Sequence, residues 1–256
     1  MPIPQGRFVW HDLATTDVEG AKNFYTQITP WTTKTWEDDE NYTLVEHDGL
    51  PLGGMAPLPA DSQSNGATAN WTPSVYVYDV DACVRQAVKL GATIVSPPRE
   101  IPNVGCWAAI ADPDGAPIAL FEPSQGPPPG NAGPPRVSEF SWHELAANDW
   151  SKSWDFYRRL FNWERIEEHD MGPLGTYFIF GLNGQGMGGI FTRSAEMSPP
   201  SWTSYIEVDS VKSAVPMVTQ LGGRVLREPH QVPGGSWIAH CCDPQGASFA
   251  MTSTQE

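Results

Sequence analysis

The chain reads as a tandem α+β protein: two copies of a domain that is itself two copies of a βαβββ module, four modules in all. Three observations predict this. The segment FVWHDLATTD at 8–17 returns as FSWHELAAND at 140–149, and Phe24-Tyr25 returns as Phe156-Tyr157 at the same 132-residue shift. Later pairs continue the echo: Trp71-Thr72 with Trp202-Thr203, Leu90-Gly91 with Leu221-Gly222, and Asp112-Pro113 with Asp243-Pro244. Between the copies, SQGPPPGNAGPPR at 124–136 is too dense in Pro and Gly for a helix or strand and reads as a semi-rigid spacer. Domains are therefore expected at 1–123 and 137–256, joined by a linker at 124–136.

Each element has a local reason. Residues 8–14 read as a strand, and Asp17 is an N-cap for a helix that carries Ala21, Phe24 and Tyr25 on one face. Extended segments follow at 32–36, 42–47 and 52–56. The second module opens with a strand at 74–78, and Asp79 or Asp81 caps a helix that closes at Leu90-Gly91, where glycine suits the left-handed terminal position. Strands at 93–96, 106–111 and 117–122 complete it, the last two joined by the Asp-Pro-Asp-Gly turn at 112–115. The second half repeats the series, with Asp-Pro-Gln-Gly at 243–246 as its turn. Gly53-Gly54 and Gly188-Gly189 lack the Lys-Ser/Thr of a phosphate loop and read as a bulge or close backbone packing.

Composition narrows the function class. Thirty acidic against 15 basic residues give a net charge of −15, which argues against nucleic acid or an anionic membrane as partner. No apolar run is long enough for a membrane span and MPIPQGRF has no apolar signal core, so a cytoplasmic protein is expected. Cys83, Cys106, Cys241 and Cys242 lack CxxC spacing and read as reduced structural thiols.

The strand–Asp–helix–Phe-Tyr openings, YDVDACVRQAVKLGA at 78–92 and DPDGAPIALFE at 112–122 resemble the vicinal oxygen chelate superfamily, which includes glyoxalase I, bleomycin-resistance proteins and extradiol dioxygenases. The WHxL openings and two-domain layout are most similar to its glyoxalase-like subgroup. The resemblance implies that two modules pair into a curved mixed sheet around a cavity that holds the site. Four modules in one chain complete both cavities, so a monomer suffices and a homodimer is compatible with it.

The resemblance also implies a divalent ion held by His, Gln and Glu on cavity-facing strands. Transferred by spacing, those positions fall on Trp10, Thr72 and Ala119 in the first half, and on Trp142, Thr203 and Ala250 in the second. None is a strong metal ligand, so no metal and no other cofactor is expected. The alternative is a divalent metal at a shifted site near His11 and His143, supporting a glyoxalase-like lyase or isomerase or a dioxygenase. Strand alternation instead turns both histidines toward the helices, as packed residues with a backbone hydrogen bond. His47, His169 and His230 read as solvated, and His240 as a semi-buried imidazole.

Period-two alternation names the cavity face. The substrate-binding candidates are Trp10, Asp12, Thr72, Ser74 and Tyr76 in the first half, and Trp142, Glu144, Thr203, Tyr205 and Glu207 in the second. A Trp offers a flat wall for a planar ligand, and a carboxylate in that setting binds a cation or moves a proton. The reading that follows is a small-molecule binding protein for a planar or cationic compound. A metal-free acid/base enzyme is the further alternative, with Glu144, Glu207 and Asp12 as catalytic candidates. Trp31, Trp163, Trp71 and Trp202 are assigned to the core or to module junctions.

Overall fold

The structure, a computed structural model, describes residues 3–64, 66–126 and 135–255. Most of the linker expected at 124–136 therefore lies outside the described residues. The first half holds β1 (Phe8–Thr15), α1 (Val18–Ile28), β2 (Thr32–Trp36), β3 (Asp39–His47), β4 (Leu50–Pro57), α2 (Ala60–Ser64), β5 (Asn70–Tyr76), α3 (Val80–Lys89), β6 (Thr93–Ile101), β7 (Gly105–Ala111) and β8 (Pro117–Pro123). The second holds β9 (Phe140–Ala147), α4 (Trp150–Phe161), β10 (Glu164–Asp170), β11 (Thr176–Leu182), β12 (Gln185–Thr192), β13 (Ser201–Glu207), α5 (Val211–Gln220), β14 (Arg224–Gln231), β15 (Trp237–Cys242) and β16 (Ser248–Ser253). The short α2 has no buried residue, and the sequence reading did not include it.

Each half forms one eight-stranded mixed sheet, in the orders β2-β3-β4-β1-β5-β8-β7-β6 and β10-β11-β12-β9-β13-β16-β15-β14. Parallel pairs such as β1 with β4 and β13 with β16 need a crossover, and the capped helices lie on those connections. Asp17 accepts from the Gly20 amide, Asp79 from the Ala82 amide and Asp149 from the Ser151 and Lys152 amides, so three acidic residues start three helices. Ala21, Phe24 and Tyr25 are all buried.

The compact units do not follow the sequence halves. One unit comprises Met1–Val9, Pro73–Ala132 and Trp142–Trp202; the other comprises Trp10–Thr72, Gly133–Ser141 and Thr203–Glu256. Each therefore takes one module from each half, and each has its own core. In unit one, Val75, Ile110, Leu120 and Val84 of the first half pack with Tyr157, Phe161, Trp163 and Trp202 of the second. In unit two, Leu13, Phe24, Tyr25 and Trp71 pack with Ile206, Val211, Phe249 and Met251.

Both units carry the same polar device inside that apolar core. In unit one the Tyr157 hydroxyl donates to Asp112 Oδ2 (3.0 Å) and accepts from Trp202 Nε1 (3.1 Å). In unit two the Tyr25 hydroxyl donates to Asp243 Oδ2 (3.2 Å) and accepts from Trp71 Nε1 (2.8 Å). The other carboxylate oxygens hold the turns: Asp112 Oδ1 accepts from the Asp114 and Ala116 amides, and Asp243 Oδ1 from the Gln245 and Ala247 amides. Burial raises the pKa of both aspartates and both tyrosines. A turn residue thus also clips the helix tyrosine of a module from the other half. Trp31 and Trp163, 3% exposed, donate from Nε1 to the Ser138 and Gly6 carbonyls respectively.

Candidate functional site

The clearest polar clusters outside the cores are a matched pair. In unit two, Trp10 and Asp12 lie two residues apart on β1, on the face opposite Leu13 of the core. The Tyr42 hydroxyl donates to Asp12 Oδ1 (2.5 Å), and Trp10 Nε1 reaches both Tyr42 Oη (2.9 Å) and Asp12 Oδ1 (3.2 Å). In unit one, the Tyr177 hydroxyl donates to Glu144 Oε2 (2.8 Å) and accepts from Trp142 Nε1 (3.1 Å). Burial, then the Glu144 charge, raises the Tyr177 pKa well above its ordinary value, so the phenol stays protonated as a donor.

Two glycines make room for these rings. A Cβ on Gly54 would lie 2.1 Å from the Tyr42 ring, and one on Gly189 would lie 2.2 Å from the Tyr177 ring. Gly54 pairs with Asp12 and Gly189 with Glu144 across the adjacent parallel strand, so each tyrosine crosses a bare strand to reach its carboxylate. Tyr42 and Tyr177 were missed in the sequence reading. The signal was there: each stands twelve residues before the second glycine of its Gly-Gly pair, at the same spacing in both halves.

The remaining candidates fall as follows. Thr72 accepts from Asn70 Nδ2 (2.8 Å). Ser74 is fully buried, and Tyr76 packs edge-on to Tyr78 at 5.5 Å. Tyr205 Oη lies 3.1 Å from His240 Nε2. Glu207 is half-buried, and burial raises its pKa against an opposing hydrogen bond from Ser141. Thr203, like Glu207, is partly exposed on β13. The expected second-half set is therefore divided between compact units: Trp142 and Glu144 belong to unit one, and Thr203, Tyr205 and Glu207 to unit two. The first-half set divides likewise, with Trp10, Asp12 and Thr72 in unit two and Ser74 and Tyr76 in unit one.

His11 and His143 are core histidines. His11, 5% exposed, stacks on Phe140 at 3.7 Å with Nδ1 3.4 Å from the Leu52 carbonyl, and burial lowers its pKa to about 3. His143, 4% exposed, stacks on Phe8 at 3.7 Å. The six positions transferred from the metal-binding pattern hold Trp10, Thr72, Ala119, Trp142, Thr203 and Ala250. An indole N–H only donates, a methyl cannot coordinate and a neutral hydroxyl is a weak ligand, so this donor set does not fit a divalent cation. Among the described residues, no three His, Cys, Asp or Glu side chains converge as a metal cluster would. Nor is any helix among them long and apolar enough to cross a membrane.

Two sheets of this topology, from duplicated modules, define the class, and comparison with known families agrees. The description Glyoxalase/Bleomycin resistance protein/Dioxygenase superfamily matches residues 139–251, and Glyoxalase-like domain matches 9–121. The chain belongs to this superfamily, the vicinal oxygen chelate group. It is similar to the candidate glyoxylase CFP32 of Mycobacterium bovis, at 27% identity over 96% of this chain and 94% of the relative. It is also similar to the anthracycline biosynthesis protein DauV of Streptomyces sp. strain C5, at 26% identity over 98% of this chain and 94% of the relative. Among solved structures, the Mn(II)-bound glyoxalase from Novosphingobium aromaticivorans shares the fold at TM-score 0.67 and 15% identity, covering 100% of this chain and 83% of the other. The 2,2',3-trihydroxybiphenyl 1,2-dioxygenase from Sphingomonas wittichii does so at TM-score 0.69 and 14% identity, covering 98% and 91%.

Proposed function

We propose that this protein binds a small planar aromatic molecule, cationic in part, without a metal ion. The observation that carries the reading is the substitution pattern: ligand-free chemistry at six expected metal positions, beside two Trp–carboxylate–Tyr clusters. Each cluster joins a partly exposed indole to a carboxylate held by a tyrosine hydroxyl. The indole face stacks on a flat ring, and the carboxylate attracts a nearby ammonium. The tyrosine hydroxyl, itself held by the indole N–H, fixes the carboxylate's orientation before the ligand arrives, which lowers the ordering cost of binding. An anthracycline, a planar hydroxylated quinone with a basic amino sugar, has both features, and two relatives are anthracycline biosynthesis proteins. Bleomycin-resistance proteins belong to the same superfamily. A glyoxalase-like or dioxygenase reaction through His11 and His143 has less support, because both rings are stacked in the cores.

The test is quenching of tryptophan fluorescence by 1,4-dihydroxyanthraquinone and by its aminoalkyl derivative, with elemental analysis of the same preparation. Saturable quenching by metal-free protein is expected, reduced in Trp10→Ala or Trp142→Ala alone and lost when both are replaced. One or two tightly held metal equivalents per chain, with quenching unchanged in the double variant, would overturn the reading.

A second reading has an observation of its own. Burial favours the protonated form of the Glu207 carboxyl, which suits a proton-transfer group. If a substrate is turned over, Glu207→Gln is expected to remove the acidic limb of the pH–rate profile.

A further inference from the structure

The second half carries a polar pair that the first half lacks. Strands β13, β16 and β15 run side by side in unit two, with Tyr205 opposite Ala250 and Ala250 opposite His240. Their chain neighbours Ile206, Phe249, Met251, Ala239 and Cys241 all belong to the core. Alternation therefore turns Tyr205, Ala250 and His240 to the opposite face, in one row. The methyl of Ala250 leaves the centre of that row low, and the flanking side chains meet: Tyr205 Oη is 3.1 Å from His240 Nε2, with the rings 5.5 Å apart at 81°.

The corresponding row of the first half is Ser74, Ala119 and Ala109, in the same register on β5, β8 and β7. The duplicated frame therefore does not need the pair. Nor does the core: the row lies on the other face, and all three first-half residues are small and buried. Tyr205 is 2% exposed, whereas His240 is partly exposed. Tyr205 thus holds the ring through Nε2, which leaves Nδ1 as the ring's second hydrogen-bonding atom. Burial, then the Arg227 and His230 charges, lowers the His240 pKa to about 4, so the ring is neutral at physiological pH.

We infer that His240, positioned by Tyr205, is a ligand-contacting group that reads the polar edge of a planar hydroxyquinone, where a ring hydroxyl and a carbonyl stand side by side. A neutral imidazole presents either a donor or an acceptor at Nδ1, depending on its tautomer. With Nε2–H donating to Tyr205 Oη, Nδ1 is the acceptor and takes the hydroxyl of that edge, which a methoxy group cannot replace. The inference rests on the binding reading above, taken for the ligand of unit two, and adds that ligand's substitution pattern to it.

The test compares 1,4-dihydroxyanthraquinone with 1,4-dimethoxyanthraquinone, which keeps the ring and carbonyls but masks the hydroxyls. Full-length protein is titrated with each, following tryptophan quenching and the visible band of the dihydroxy compound. Wild type is expected to prefer the dihydroxy probe by about five- to tenfold, the worth of one hydrogen bond, and to shift its visible band. His240→Ala should abolish both preference and shift by weakening dihydroxy binding more than dimethoxy binding, while His240→Gln restores part of them. Tyr205→Phe keeps the ring's bulk and should weaken the preference without removing it. Quenching by both probes, with the same preference in His240→Ala, overturns this inference and leaves the binding reading standing. Quenching by neither overturns both.

Discussion

Units one and two were built from the same parts, and they agree wherever packing demands it. Each clips a helix tyrosine to a turn aspartate under a tryptophan N–H: Tyr157, Asp112 and Trp202 in one, Tyr25, Asp243 and Trp71 in the other. Each carries one Trp–carboxylate–Tyr cluster. They part on the face away from the core, where unit one has Ser74, Ala119 and Ala109 and unit two has Tyr205, Ala250 and His240. They part again at a turn: the carbonyl that receives Trp163 belongs to Gly6, and the one that receives Trp31 belongs to Ser138. Buried tyrosine and aspartate tolerate no loss of a partner, so the frame repeats. The face turned away from the shared core differs, and there the two units have separate chemistry.

The largest expected effect tests whether the two clips are equivalent. Tyr157→Phe leaves a buried aspartate and an indole N–H without their shared partner, at a cost of about 2–3 kcal/mol. Tyr25→Phe should cost a similar amount, measured by urea unfolding. A large inequality between the two would break the comparison.

Gly189→Ala and Gly54→Ala drive a methyl into a tyrosine ring, and each should cost about 1–3 kcal/mol through overpacking. Both should also weaken ligand binding at their own cluster. If Gly54→Ala alone spared binding, only the Glu144 cluster would be in use.

Acidity sharpens the same comparison. Asp112 and Asp243 hold their protons in the folded state above the ordinary value of 3.8, because of burial. Their contribution to stability is therefore greatest below that value and is lost as pH rises through the raised one. Asp112→Asn should flatten that part of the stability–pH curve, followed by thermal melting across acid pH.

The smallest effect concerns the turn. Ser138 sits at φ 74°, where Gly6 has φ 92° in the matching place. A left-handed serine costs about 1–2 kcal/mol, partly offset by the greater unfolded-state entropy of glycine, so Ser138→Gly should gain about 0.5–1 kcal/mol. A loss of stability on thermal melting would show that the serine side chain has a role that Gly6 lacks.

The sequence by itself determined the duplicated module, the strand and helix order, the aspartate caps and the burial of Trp31, Trp71, Trp163 and Trp202. These are legible because caps, turns and alternation act over a few residues, and the repeat reports each of them twice. It also placed Trp10, Asp12, Trp142 and Glu144 on one face by parity alone. It did not show that Tyr42 and Tyr177 complete those clusters, because the link runs diagonally across two strand pairings and through a glycine gap. Only the tertiary structure decided that the cores join modules from different halves, since the tyrosine and aspartate that clip each one lie 45 and 218 residues apart. Only strand register, a long-range property, brought Tyr205 to His240 over the small side chain of Ala250.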